Sequence, residues 1–135
     1  MRNIILLAVI FSISIFAGCR AAASGSPQAE IKQISVEQAK QAVEENGVQF
    51  IDVRTPEEYG GGHTPKAANF PLDSLEKELA RLDKDKPVYV ICQTGRRSQK
   101  GAEILQNAGF GEIYNIAGGT SAWTSAGFPM EKGRR

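Results

Sequence analysis

The apolar positions of this chain switch between helical spacing and unbroken runs, and the switches predict its elements. Behind Ser35-Val36-Glu37-Gln38, a capping-box sequence, Val36, Ala39 and Val43 recur at helical spacing until Gly47. Residues 48–53 then form an apolar, β-branched run, and Thr55-Pro56-Glu57-Glu58 supplies a second capping box with proline at the first helical position. A strand followed by a helix is predicted. Ala68-Asn69-Phe70 predicts a short strand, and Leu72, Leu75, Leu79 and Leu82 trace one face of a helix that Lys86-Pro87 terminates. Residues 88–91 (Val-Tyr-Val-Ile) lack polar alternation, as in a strand covered on both faces. Ala102, Leu105 and Ala108 predict another helix stopped by Gly109, residues 113–116 a last strand, and residues 120–126 a short final helix.

Alternating strands and helices imply an α/β fold with a mainly parallel sheet and helices on both faces. In open sheets of this kind ligands bind beyond the carboxyl ends of the strands. Cys92 follows the run 88–91 at such an end and opens the loop Cys92-Gln93-Thr94-Gly95-Arg96-Arg97-Ser98. Unpaired backbone N–H groups and the dipole of the following helix favour an anion there. Arg96 and Arg97 act in the same direction, so Cys92 is expected to be a thiolate near neutral pH. Gly95 permits a positive φ, and the Thr94 hydroxyl can donate a hydrogen bond.

The spacing Cys-x-x-Gly-x-Arg-Ser resembles the active loop of the rhodanese family, sulfurtransferases that carry sulfur on a cysteine persulfide. Ile51-Asp52-Val53-Arg54-Thr55-Pro56-Glu57-Glu58-Tyr59, followed by Gly62-His63-Thr64-Pro65 and Ala67-Ala68-Asn69-Phe70-Pro71, is similar to the family's first signature. Asn115-Ile116-Ala117-Gly118-Gly119, continuing to Trp123 and Ala126-Gly127-Phe128-Pro129, is similar to its closing one. The resemblance spans residues 31–130 and implies a rhodanese-like three-layer α/β sandwich. It implies Cys92 as the catalytic residue, with Gln93, Thr94, Gly95, Arg96 and Arg97 around the sulfur and no cofactor. A small anionic sulfur donor such as thiosulfate, and a thiol or cyanide acceptor, would be the partners.

Within that resemblance Arg97 occupies the position of the motif's arginine and is expected to orient an anionic donor, whereas Arg96 either shares this task or is simply exposed. Gln93 stands where many relatives carry Arg, which points to weak thiosulfate activity or to a neutral or organic persulfide donor. Asp52, Arg54 and Ser98 are supporting residues. For Asp52 and Arg54 a buried pair-and-cap network is the simpler reading, with direct catalysis as the alternative. His63, the one histidine, falls in a segment the family uses structurally. Lys66 stands where the family commonly has Gly and is expected to be exposed; Gly60, Gly61 and Gly62 are expected to make a mobile loop; Trp123 is expected in the core.

Composition narrows the alternatives. Sixteen basic and fifteen acidic residues among 135 leave a net charge of +1, with no extended basic stripe, which argues against nucleic-acid binding. Two cysteines and one histidine are too few for a closed zinc site. Phosphatases of related fold have five residues between cysteine and arginine, whereas four separate Cys92 from Arg97, a smaller ring suited to sulfur. A non-catalytic binding module of the same fold is the remaining rival.

The amino-terminal residues differ from the rest. Arg2 precedes the apolar stretch 4–16, shorter than a membrane span, and Phe16-Ala17-Gly18-Cys19 resembles a bacterial lipobox. The expected organisation is a lipoprotein-type signal peptide over 1–18, a lipidated Cys19 with a flexible tether over 19–30, and one domain over 31–135. An ordinary signal peptide cut at Ala21, Ala22 or Ala23 is the alternative. The protein is therefore expected to be exported and held in the cell envelope, tethered to a membrane by lipid. Cys92 would then be the one thiol of the mature chain, so a persulfide on it must pass to another molecule, a protein acceptor included.

Overall fold

The computed structural model describes residues 27–45 and 47–133. The expected signal peptide, Cys19 and most of the expected tether fall outside those residues, as do Asn46 and the last two arginines. Along the chain run β1 (Ile31–Ile34), α1 (Val36–Ala42), β2 (Gln49–Asp52), α2 (Pro56–Gly61), β3 (Ala68–Asn69), α3 (Leu75–Glu78), β4 (Val88–Ile91), α4 (Arg96–Asn107), β5 (Ile113–Ile116) and α5 (Gly119–Ser125). The strands form one sheet in the order β1-β5-β4-β2-β3, and every pairing is parallel. Among the described residues no helix is long and apolar enough to cross a membrane.

Period-two geometry divides the strand side chains between two cores. Ile51, Val53, Val88, Val90, Cys92 and Ile113 face Leu75, Ala102, Leu105 and Phe110 from α3, α4 and the turn after α4. Phe50, Tyr89, Ile91 and Ile116 face Val36, Ala39, Val43 and Trp123 from α1 and α5. The sheet is thus covered on both sides, which explains the continuous apolar run of β4. Trp123 belongs to this second core as expected, and its indole N–H donates to the Pro129 carbonyl at 2.9 Å.

Several elements depart from the sequence expectation. β1 carries Lys32 and Gln33 between its two isoleucines, because an edge strand needs only partial burial, and it pairs with β5 alone. α1 ends at Ala42, before Gly47. The leucine-spaced segment forms only one α-turn, followed by a 3₁₀ turn over Leu79–Arg81. Its N-cap Ser74 makes no capping bond, since the hydroxyl reaches the Pro71 carbonyl and the Glu78 carboxylate instead. The glycine triplet is not a free loop. Gly60 and Gly61 close α2, and His63 exchanges two 2.8 Å backbone bonds with Glu131, pinning the segment to the chain's end. Of the expected tether, Gln28 bonds to Asn107 and the Ala29 carbonyl accepts from Gln106, both on α4. Lys66 is exposed, paired with Glu44 at 2.7 Å, and sits at φ 67°. A left-handed conformation costs a non-glycine residue about 1–2 kcal/mol, which accounts for the glycine expected there.

Candidate active site

The topology places a crevice between β2 and β4. β2 connects through α2 to β3 on one side, whereas β4 connects through α4 to β5 on the other, so neighbouring strands diverge at their carboxyl ends. This is a switch point, where open parallel sheets bind ligands. Asp52 is paired in register with Ile91, and the Val53 N–H donates to the Ile91 carbonyl at 3.0 Å. Val53 and Cys92 therefore leave the sheet side by side, with Arg54 the next residue along.

Cys92 carries a free thiol and is 1% exposed. Gly95, in left-handed conformation at φ 96°, is the N-cap of α4 and turns its N–H onto the Cys92 Sγ at 3.1 Å. The Ser98 hydroxyl donates to the same sulfur at 3.4 Å from a fully buried position. Burial pushes the Cys92 thiol up, but hydrogen bonds from the Ser98 hydroxyl and from the N–H groups of Ser98, Thr94 and Gly95 outweigh it and hold the thiol below its usual range. The ring of donors thus closes on Ser98, one residue beyond the expected 93–97, and hydrogen bonds rather than arginines lead the shift. Thr94 contributes its N–H, while its side chain is exposed.

Loop carbonyls are held on the other side. The Thr120 N–H donates to the Cys92 carbonyl at 2.8 Å and the Ser121 N–H to the Gln93 carbonyl at 3.0 Å. The first amides of α5, orphaned within their own helix, so anchor the start of the loop. Asn115, buried in β5, donates to the Gly95 carbonyl at 3.2 Å and to Gln33 and Gln99. With carbonyl oxygens fixed to α5 and β5, the loop's N–H groups are left to face the sulfur. Neither the α5 amides nor Asn115 was singled out from the sequence, although both lie in the closing signature.

Arg97 is not free. Its guanidinium meets the Glu58 carboxylate in a two-bond fork, 2.7 and 2.8 Å, joining α4 to α2 across the crevice. Hydrogen bonding from Arg97 leads the causes that bring the Glu58 carboxyl down to about 2. Arg97 in turn is raised, chiefly by Glu58 and also by the charge on Cys92. From the sequence Glu58 is expected only to cap α2, which it also does by accepting the Thr55 N–H at 3.0 Å. A signal was available: helices that follow parallel strands start at one end of the sheet, so the first turns of α2 and α4 had to be neighbours.

The other predicted residues are placed as follows. Arg96 is exposed and lines a cleft of about 220 Å³ with Thr94, Arg97 and Lys100. Gln93 is exposed on the opposite flank, in a cleft of about 350 Å³ lined also by Arg54, Glu58, Thr120, Ser121, Thr124 and Met130. Asp52 is fully buried and binds Arg54 through Nε and Nη2 and through its backbone N–H, while Nη2 also reaches the Gly62 carbonyl at 2.7 Å. His63 is buried, stacked on Tyr59 with ring centres 3.8 Å apart, and its Nδ1 lies 2.9 Å from the Tyr59 carbonyl.

Removing the Ser98 hydroxyl takes away one hydrogen-bond donor to the thiol. Ser98→Ala is expected to move the thiol back up toward its ordinary range, because burial then acts against fewer donors. At neutral pH the thiolate fraction falls, and alkylation by iodoacetamide slows roughly tenfold, the size of one hydrogen bond to a charged group. The pH–rate profile of alkylation checks this. Its midpoint rises in the variant, while the plateau above the thiol's titration stays close to that of the parent.

Comparison with known proteins agrees with this geometry. A family model described as a rhodanese-like domain matches residues 35–126. The uncharacterized protein YqhL of Bacillus subtilis is 45% identical over 75 residues, 56% of this chain and 60% of its own length. This chain therefore spans somewhat over half of that relative. The thiosulfate sulfurtransferase GlpE of Shewanella oneidensis is 36% identical over 95 residues, 70% of this chain and 94% of GlpE. Among solved structures, the polysulfide-sulfur transferase homodimer of Wolinella succinogenes superposes with a TM-score of 0.67 at 32% identity, covering 76% of this chain and 79% of that one. The matched span contains both strands of the crevice, the Cys92 loop and the α5 amides that hold it, and the chain belongs to the rhodanese-like domain family.

Proposed function

We propose that the protein is a sulfurtransferase that carries sulfane sulfur on Cys92. The observation that carries this reading is the thiol itself, which is buried at the switch point and hydrogen-bonded by Gly95 N–H and the Ser98 hydroxyl. The relatives named as thiosulfate and polysulfide-sulfur transferases support the same chemistry.

The steps balance without a cofactor. The Cys92 thiolate attacks the outer sulfur of thiosulfate; a new S–S bond forms, the old one breaks, and sulfite leaves with the bonding pair. The persulfide Cys–S–S⁻ keeps one negative charge, displaced outward by one atom. Fixed N–H donors suit both states, because they need no reorganisation as the charge moves. A thiophilic acceptor such as cyanide then takes the outer sulfur and returns the thiolate. Arg96 and Lys100, exposed beside the Glu58-bound Arg97, line the cleft next to Thr94 by which a donor reaches the loop. Asp52 and Arg54 hold the neighbouring turn and take no part in the bond changes. Within the same proposal, Arg2, the apolar stretch 4–16 and Cys19 support an exported, lipid-tethered placement.

The test is intact mass of the protein before and after a sulfane donor. A gain of about one sulfur atom on the parent but not on Cys92→Ser, removed by cyanide with release of thiocyanate, is the expected result. Loading by an organic persulfide but not by thiosulfate keeps the mechanism and changes the donor. No gain with either overturns the reading in favour of a binding module.

A further inference from the structure

The pair formed by Glu58 and Arg97 differs from the buried Asp52–Arg54 pair in lying at the surface. Both side chains are about a third exposed, at 33% and 36%, yet they meet in a two-bond fork at 2.7 and 2.8 Å over the mouth of the Cys92 site. Arg97 belongs to the Cys92 loop, and Glu58 engages both of its terminal nitrogens. The end-on edge of the guanidinium, formed by its two terminal nitrogens, is thereby taken by Glu58. An anionic reactant that uses this edge must displace Glu58, and one that uses another must approach with the Glu58 negative charge in place.

We propose that Glu58 is a specificity-determining residue, which by latching Arg97 penalises anionic reactants at Cys92 relative to uncharged ones. This rests on the sulfurtransferase reading for its biological meaning: the favoured donors would be uncharged organic sulfane compounds, and thiosulfate, a dianion, would be disfavoured. The charges around the latch agree with it. On the Gln93 flank, Arg54 is already neutralised by Asp52, and the remaining lining is Thr120, Ser121, Thr124 and Met130. On the other flank Arg96 and Lys100 are exposed cations, which draw anions toward the loop but are screened by solvent. Arg97, partly buried and five positions along the loop from Cys92, is the cation that Glu58 holds.

Glu58→Gln tests the proposal without dismantling α2. A glutamine at this position keeps an acceptor for the Thr55 N–H, as capping boxes commonly do, while removing the negative charge. The readout is the ratio of Cys92 alkylation rates by iodoacetate, an anion, and iodoacetamide, its neutral counterpart. A change in thiol reactivity or in loop packing moves both rates together and leaves the ratio in place. Expected is a rise of roughly tenfold in the iodoacetate-to-iodoacetamide ratio at low salt, shrinking as ionic strength increases. A ratio within about twofold of the parent overturns the proposal, whatever the sulfur-transfer activity. Mass measurements on the same two proteins separate the two readings. Sulfur loading with an unmoved ratio leaves the sulfurtransferase standing and removes the latch; a raised ratio with no loading from any donor supports the latch as an anion filter and removes the sulfurtransferase.

Discussion

Gly119→Ala is expected to lower stability by about 3 kcal/mol and to slow every reaction of Cys92, though residue 119 never touches the sulfur. Gly119 opens α5 at φ 56°, and a Cβ built there lies 2.3 Å from the Cys92 carbonyl oxygen and 2.6 Å from the Gln93 carbonyl carbon. Those are backbone atoms of the reactive loop, so no rotamer change relieves the overlap. The loop must move, and the bonds from Thr120 and Ser121 to the same carbonyls lengthen with it. Gly109→Ala is the matched control: it too has positive φ, 87°, but a Cβ there meets nothing within 4 Å. Its cost is the conformational part alone, about 1 kcal/mol. Urea unfolding midpoints of the two variants, with iodoacetamide rates on the folded proteins, separate strain from steric displacement. Equal losses in the two would mean that the close approach of α5 to the Cys92 loop contributes nothing.

Much of this arrangement was legible in the sequence because it depends on patterns within single segments. An unbroken run of apolar residues ending in cysteine, then Gly95 and a helical pattern, specifies strand, turn and helix without reference to anything distant. The parallel sheet followed from the same alternation. What escaped depends on pairs far apart. β1 is a strand only because β5 offers it an edge, and two isoleucines three residues apart carry no strand period. The leucines from Leu72 to Leu82 all pack on one core, yet the chain there is mostly turn, because spacing reports which face is buried and not which backbone bonds form. Glu58 and Arg97 are 39 positions apart, and only the placement of two helix starts at one sheet end brings them together. Gly119 illustrates the limit from the other side. Its motif was visible, but the reason for its missing side chain is a carbonyl 27 residues earlier.

A loss of similar size, about 3–5 kcal/mol, is expected for Asp52→Asn, and it distinguishes a structural pair from a catalytic one. Asp52 is fully buried, and Arg54 is 6% exposed. Asparagine can still accept the Arg54 backbone N–H, so the variant removes the charge while keeping the turn's bond. The Arg54 guanidinium is then left buried against an amide, its other partner being the Gly62 carbonyl. Stranding one charge costs more than removing both, because the uncompensated ion keeps its desolvation penalty after losing the attraction that offset it. The double variant Asp52→Asn, Arg54→Met is therefore expected to be more stable than Asp52→Asn alone, a reversal that chemical denaturation of the four proteins in the cycle reads directly. Arg54 also lines the cleft beside Gln93 and Glu58, so the same cycle bears on chemistry. Its charge is balanced within the parent, and its loss together with that of Asp52 leaves the field at Cys92 nearly unchanged. Sulfur loading by the folded double variant within a few-fold of the parent would place the pair in the scaffold; a loss as deep as that of Cys92→Ser would instead make Arg54 a donor contact and Asp52 the residue that positions it.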